Sequence, residues 1–164
     1  MHPAALLGPA LAESAGRLAR GAKVGELDCG AGPISIALGL RFPASRFFGF
    51  DPRPSVIALA HRQAALVGLD TRVCFETATA GDFPGTGYDL IVQLAARAYD
   101  LDRLSAQARH VRRTLAPDGC WVFLEPSSGD GDPTRLRRVV FEGGFTRVRC
   151  APVSATELYL TARP

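Results

Sequence analysis

Short apolar runs alternate along the chain with segments whose apolar residues recur every three to four positions. The runs predict β-strands, and the recurring pattern predicts helices. Strands are expected at residues 22–27, 45–50, 72–77, 88–94, 120–125, 145–150 and 157–162. Helices are expected at residues 9–20, 33–40, 54–67, 102–115 and 133–142. Strands separated mostly by helices indicate an α/β fold with a doubly wound, mostly parallel sheet.

The last two predicted strands differ from the others because only a short connection joins them. Such a connection suits an antiparallel pair better than a crossover helix. We therefore expect a seven-stranded sheet that ends in a C-terminal antiparallel hairpin.

Composition and charge limit the class of protein. The chain has 164 residues, of which 47% are hydrophobic and 21% charged, which suits one globular domain. The net charge of +3 is too small to indicate a nucleic-acid-binding surface. No apolar run has the length of a membrane span, about 18 residues or more. The N-terminal residues Met1, His2 and Pro3 lack the basic start of a signal peptide, so a cytoplasmic location is expected.

The cysteines stand far apart and form no C-x-x-C pair, and most of them fall in apolar runs. We expect buried free thiols rather than a metal site or disulfides. The residues are Cys29, Cys74, Cys120 and Cys150.

Chemically distinctive residues follow the predicted strands, at the edge where doubly wound sheets bind ligands. Gly30 and Gly32 follow the first strand and would let the backbone approach a ligand closely. Asp51 ends the second strand, 19 residues after Gly32. A carboxylate there can accept two hydrogen bonds from a ribose diol.

In order and spacing, several segments together resemble the class I S-adenosylmethionine (SAM)-dependent methyltransferase family. Besides the closing hairpin, they are residues 26–32, 48–51, 81–83, 88–92 and 115–119. The resemblance covers residues 22–164, interpreted as a SAM-binding methyltransferase domain, with residues 1–21 as an N-terminal helical segment. It implies a Rossmann-like fold, SAM as cofactor and a methyl acceptor that the sequence does not identify.

The resemblance also implies roles for individual residues. Gly30 and Gly32 would line the methionine part of SAM, and Asp51 would bind the ribose hydroxyls. Asp82 would meet the adenine amino group, and Phe83 would pack near the adenine ring. The full predicted cofactor-binding set is Glu26, Asp28, Gly30, Ala31, Gly32, Asp51, Pro52, Asp82, Phe83 and Leu94.

One residue departs from the family pattern, because Asp28 stands where the family usually has the first loop glycine. Aspartate tolerates a left-handed backbone better than most residues, so the turn can form. The carboxylate would either crowd the cofactor or pair with the methionine ammonium.

Two alternatives concern the class of enzyme. Residues 30–35, and more weakly 88–96, resemble nicotianamine synthases, which transfer the aminobutyrate arm of SAM. A nicotinamide dehydrogenase fits worse, because Ser35 occupies the position of the third glycine in the dinucleotide fingerprint.

Simpler structural roles also remain open. The glycine pair could form only a tight turn, Asp51 could cap the following helix, and Asp82 could be an exposed loop acid. His61 and His110 fall in predicted helices away from the site and are expected to be packed or solvated.

No catalytic residue is assigned, because methyl transfer is an in-line displacement that relies mainly on positioning. Arg97, Tyr99 and Glu125 are candidate substrate contacts. The chain is close to the bare fold, which leaves three explanations. A partner subunit or accessory domain covers the site, the acceptor is large, or the protein is a degenerate module that binds SAM without catalysis.

Overall fold

The computed structural model describes residues 8–94, 101–126, 133–154 and 157–164. The helices are α1 (Gly8–Arg20), α2 (Pro33–Arg41), α3 (Pro54–Leu66), α4 (Leu101–Thr114) and α5 (Pro133–Glu142). The strands are β1 (Lys23–Leu27), β2 (Arg46–Asp51), β3 (Val73–Thr77), β4 (Tyr88–Leu94), β5 (Leu115–Pro126), β6 (Arg147–Ser154) and β7 (Glu157–Arg163). Each element overlaps the segment predicted for it.

The strands form one seven-stranded sheet in the order β3-β2-β1-β4-β5-β7-β6. Neighbours from β3 to β5 are parallel, whereas β7 runs antiparallel to both β5 and β6. The predicted fold class is therefore confirmed, including the closing antiparallel pair. The chain order reverses between β1 and β4, so a ligand crevice is expected at the carboxyl ends of these strands and of β2.

The core lies on both faces of the sheet, as the apolar stripes of the helices require. One cluster packs side chains of α1, α2 and α3 against the sheet, including Leu18, Leu38 and Ile57. The other packs α4 and α5 against the opposite face, including Val111 and Val140. Burial of side chains on both faces explains why the central strands read as nearly continuous apolar runs.

Helix α1 is attached to the start of the sheet by polar contacts as well as by Leu18. The Ser45 hydroxyl donates to the Leu18 carbonyl at 2.7 Å and accepts the Ala22 N–H at 2.9 Å. Arg17 donates to the Asp89 carboxylate at 3.3 Å and also pairs with Asp118. None of the helices in the described residues is both long and apolar enough to span a membrane.

Strand β5 begins five residues earlier than predicted. Leu115 pairs with Tyr88, and the next paired residues are Cys120 and Leu90, so the register shifts between them. Residues 117–119 have the proline and glycine composition of a turn, yet they lie within the strand, beside this register shift. Strand β6 likewise extends beyond its prediction, to Ser154.

The expectation that the cysteines are buried is correct for two of the four. Cys29 and Cys120 are buried free thiols, whereas Cys74 and Cys150 are exposed. The exposed pair lies on β3 and β6, the two edge strands of the sheet.

Candidate functional site

The loop after β1 turns sharply through three residues with positive φ. These are Asp28 (52°), Gly30 (55°) and Gly32 (76°). The Gly32 N–H donates to the Cys29 carbonyl at 2.9 Å, which closes the turn before α2 begins at Pro33. Asp28 therefore has a left-handed backbone, as the tolerance of aspartate for positive φ allows.

The two loop glycines have different surroundings. A Cβ added at Gly30 would meet nothing within 4 Å, so this residue borders open space. A Cβ added at Gly32 would lie 2.2 Å from Cζ of Phe75, so Gly32 is needed for close packing of α2 against β3. A purely structural role in a tight turn therefore fits Gly32. Gly30, in contrast, leaves room for a ligand beside the backbone.

Glu26 faces the start of α2 and is only 2% exposed. Its Oε2 accepts the backbone N–H of Ser35 at 2.8 Å, which satisfies a free donor in the first turn of the helix. Burial raises the pKa of Glu26 to about 7, against an ordinary value of 4.5. The contact of Glu26 is thus with the helix, and its predicted cofactor role stays a prediction.

Glu26→Gln is expected to flatten the pH dependence of stability. Because its pKa is raised on folding, the stabilisation that Glu26 provides is complete below about pH 4.5 and is lost as the pH rises through about 7. The loss is at most about 3 kcal/mol of unfolding free energy. Glutamine keeps an acceptor for the Ser35 N–H, so the variant should exceed the parent in stability at about pH 8.

Urea unfolding across this pH range measures the effect. Glu142→Gln, at an exposed position, is the control and should follow the parent curve. Parallel curves for the parent and Glu26→Gln would contradict the ionisation assigned to Glu26.

Asp51 ends β2 and is only 1% exposed. Its Oδ1 accepts the Arg53 backbone N–H at 3.0 Å and Arg53 Nε at 2.8 Å. Its Oδ2 accepts the Gly30 N–H at 3.0 Å and Arg53 Nη2 at 2.9 Å. The Arg53 guanidinium holds the pKa of Asp51 below its ordinary range, so this carboxylate is ionised.

The helix-capping alternative for Asp51 does not match these contacts. The N-cap residue of α3 is Arg53, and no side chain caps the helix there. Asp51 instead ties the loop after β1 to the end of β2 through the Gly30 N–H.

Two glutamines that the sequence analysis did not select hold Asp28 in place. Gln93 Nε2 donates to Asp28 Oδ2 at 2.6 Å, and Gln107 Nε2 donates to Gln93 Oε1 at 2.5 Å. Both glutamines are buried, and they link the ends of β1 and β4 to α4. Loss of surrounding water raises the pKa of Asp28, and the charge of Asp51 adds to the effect. The sequence signal that could have identified Gln93 is its polar side chain near the end of the apolar run of β4.

The predicted adenine-binding residues make local contacts. Asp82 is exposed, and its Oδ1 accepts the Thr79 N–H at 2.8 Å and the Thr79 hydroxyl at 2.7 Å, so it closes the turn after β3. Phe83 is 1% exposed, with its ring centroid 5.2 Å from that of Phe50. Its ring therefore lies in the core rather than at the open edge, and packing against adenine stays a prediction.

The remaining predicted residues divide by position. Pro52 is exposed directly after β2, and Ala31 is half-buried in the loop. Leu94 is half-buried and packs against the core cluster of α2 and α3. Glu125 lies on β5, paired with Leu158 of β7. The other two candidate substrate contacts, Arg97 and Tyr99, lie outside the described residues.

Both helical histidines make local contacts, His61 from an exposed position and His110 from a half-buried one, consistent with the expectation that they are packed or solvated. His61 Nε2 is 2.9 Å from the Phe75 carbonyl oxygen, and His110 Nε2 is 2.8 Å from that of Phe83. The His110 ring also contacts the Phe83 ring at a centroid distance of 4.7 Å. These contacts account for the histidines as structural residues.

The carboxyl-end edge thus combines an open backbone at Gly30, an ionised acceptor at Asp51 and a second carboxylate at Asp28. With the strand order and the closing antiparallel pair, this arrangement defines a Rossmann-like protein of the methyltransferase class. Residues 24–119 match the methyltransferase domain family, and the chain belongs to this family. The predicted resemblance to class I SAM-dependent methyltransferases is confirmed, whereas the resemblance to nicotianamine synthases stays a prediction.

Characterised relatives support the assignment. The chain is 32% identical over 121 residues to trans-aconitate 2-methyltransferase of Streptomyces avermitilis, a match that covers 71% of this chain and 44% of the relative. It is 30% identical over 118 residues to demethylmenaquinone methyltransferase of Thermus thermophilus, covering 71% of this chain and 53% of the relative. The chain therefore spans about half the length of the curated relatives that it matches.

A solved structure of low sequence identity shares the fold. Magnesium protoporphyrin IX methyltransferase from Synechocystis PCC 6803 with bound SAM superposes with a TM-score of 0.79 at 19% identity. The superposition covers 99% of this chain and 80% of that protein.

Proposed function

We propose that this chain binds SAM at the carboxyl ends of β1, β2 and β4 and transfers its methyl group to an acceptor. The observation that carries the proposal is the buried, ionised Asp51 beside the open backbone of Gly30. A strand-end carboxylate in this position suits a ribose diol. In this proposal residues 22–164 form the SAM-binding domain, and residues 1–21 precede it.

The residues of this edge would bind and orient rather than supply a base. Bound SAM supplies an electrophilic methyl group. Asp51 would accept hydrogen bonds from the ribose hydroxyls. The exposed Asp28 carboxylate would accept a hydrogen bond from the methionine ammonium. Gln93 and Gln107 hold Asp28 in place for that contact. Fixing the acceptor about 3 to 3.5 Å from the methyl carbon can then provide much of the rate enhancement.

A ligand-binding experiment tests the proposal first. SAM and S-adenosylhomocysteine (SAH) should each raise the thermal midpoint of the purified chain, whereas NAD should not. At a hundred times its dissociation constant, a ligand stabilises the folded state by about 2.7 kcal/mol. NAD should fail because Ser35 takes the place of the third glycine of the dinucleotide fingerprint, which lets the helix pack closely against the sheet. A shift with NAD alone would overturn the proposal.

The reaction product distinguishes the remaining alternatives. Incubation with labelled SAM should release SAH if the methyl group moves, and methylthioadenosine if the aminobutyrate arm moves. Trans-aconitate and demethylmenaquinone are the acceptors to test first, because relatives named for them match this chain. Binding of SAM with neither product, in the presence of these acceptors, would favour a degenerate binding or scaffolding module.

The family implies a methyl acceptor as a partner. Because the chain spans only part of its relatives, a partner subunit or accessory domain over the site is also part of the proposal. A cytoplasmic location stays a prediction from the sequence.

A further inference from the structure

Every acceptor position of the Asp51 carboxylate is occupied by a protein donor. A carboxylate offers about four lone-pair sites, two on each oxygen. Oδ1 receives the backbone N–H and Nε of Arg53, and Oδ2 receives the Gly30 N–H and Nη2 of Arg53. No acceptor site is left for a ribose hydroxyl.

The Arg53 side chain takes one site on each oxygen. The two backbone donors are fixed by the loop and by the end of β2, whereas the guanidinium lies at the end of a flexible side chain. Departure of that side chain would free one acceptor on Oδ1 and one on Oδ2. Two hydroxyls of a vicinal diol need the same two positions.

We propose that Arg53 is an affinity-determining residue of this site, because its guanidinium competes with the ribose diol for Asp51. The inference rests on the proposed function. The Arg53 side chain is 64% exposed, so it can move into water and remain hydrated. The Asp51 end of the ion pair is buried, so the guanidinium can leave only if other donors replace it, and the two ribose hydroxyls would do so.

Arg53→Ala is expected to tighten SAH binding by about three- to tenfold, because the ligand no longer displaces an ion pair. Titration calorimetry on the parent and the variant measures the change. Arg62→Ala removes an exposed arginine of α3, the helix that follows Arg53, and should bind SAH as the parent does. Arg53→Gln, which also lacks the charge, should repeat the gain if Arg53→Ala folds poorly.

A double-mutant cycle shows whether the effect acts through Asp51. In an Asp51→Asn background, Arg53→Ala should give no comparable gain, because the charged partner of the guanidinium is absent.

The possible outcomes separate failure of the competition from failure of the proposed function. Unchanged or weaker SAH binding by both Arg53 variants, with binding intact in the parent, overturns the competition alone. An equal gain in the Asp51→Asn background would also overturn it, because the effect would then act elsewhere. Failure of SAH to bind the parent and all of the variants overturns the proposed function, and the competition with it.

Discussion

Asp51→Ala is expected to weaken SAH binding by about ten- to a hundredfold. Asp51 is buried at the end of β2 and ionised, so its oxygens are charged acceptors in a position that excludes most water. A hydrogen bond to a charged group contributes about 1.5 to 3 kcal/mol, so the expected change corresponds to the net loss of about one such bond. In the same variant the Arg53 guanidinium would lose its partner and would no longer compete with the ribose. The ribose hydroxyls would still lack the carboxylate that accepts their hydrogen bonds.

Asp51→Asn is the matched variant for this prediction. Asparagine keeps an oxygen that can accept the Gly30 N–H, but it lacks the carboxylate that accepts from both ribose hydroxyls. A purely structural Asp51 would instead cost about 1 to 3 kcal/mol of stability in Asp51→Ala, because the Gly30 N–H loses its acceptor, with little change in affinity. Calorimetry and urea unfolding on both variants separate the two roles. If Asp51→Asn binds SAH as well as the parent does, the ribose role of Asp51 is wrong.

Gly32→Ala is expected to destabilise the fold by about 2 to 5 kcal/mol, the largest stability effect that we predict. The new Cβ would lie 2.2 Å from Cζ of Phe75, on a backbone with a φ of 76°. The Phe75 ring cannot retreat easily, because it also packs over Gly49, where an added Cβ would lie 2.4 Å from the ring. Urea unfolding measures the loss.

Gly30→Ala is the matched control, because its φ of 55° is also positive but its Cβ would meet nothing within 4 Å. Backbone strain should cost only about 1 to 2 kcal/mol there. The methyl group would instead enter the space proposed for the ligand, so SAH affinity should fall while the fold persists. Equal destabilisation by the two substitutions would contradict the different roles assigned to the glycines.

The fold could be predicted from the sequence because its signals are local and repeated. The apolar runs of β1 and β4 can be recognised without knowing which residues they contact elsewhere in the chain. The same is true of the helices that begin at Pro33 and Pro54. The start of β5 was missed because its residues 117–119 look like a turn. Only the pairing of Leu115 with Tyr88 on the neighbouring strand extends the strand through them.

The site was predictable in position but not in its contacts. Asp51 and Gly30 follow from strand ends and turn chemistry, whereas the Arg53 fork depends on the conformation of an exposed side chain, which no pattern encodes. The packing of Phe75 against Gly32 depends on β3 lying beside β2. The contacts of Gln93 depend likewise on tertiary structure, because they join elements that are distant along the chain.

A crystal structure of the chain with SAH would show whether Asp51 holds the ribose. We expect the ligand at the carboxyl ends of β1, β2 and β4, with its ribose hydroxyls within hydrogen-bond distance of Asp51 and the Arg53 side chain turned away. SAH bound elsewhere on the molecule, or at this edge without a contact between its ribose and Asp51, would contradict the account.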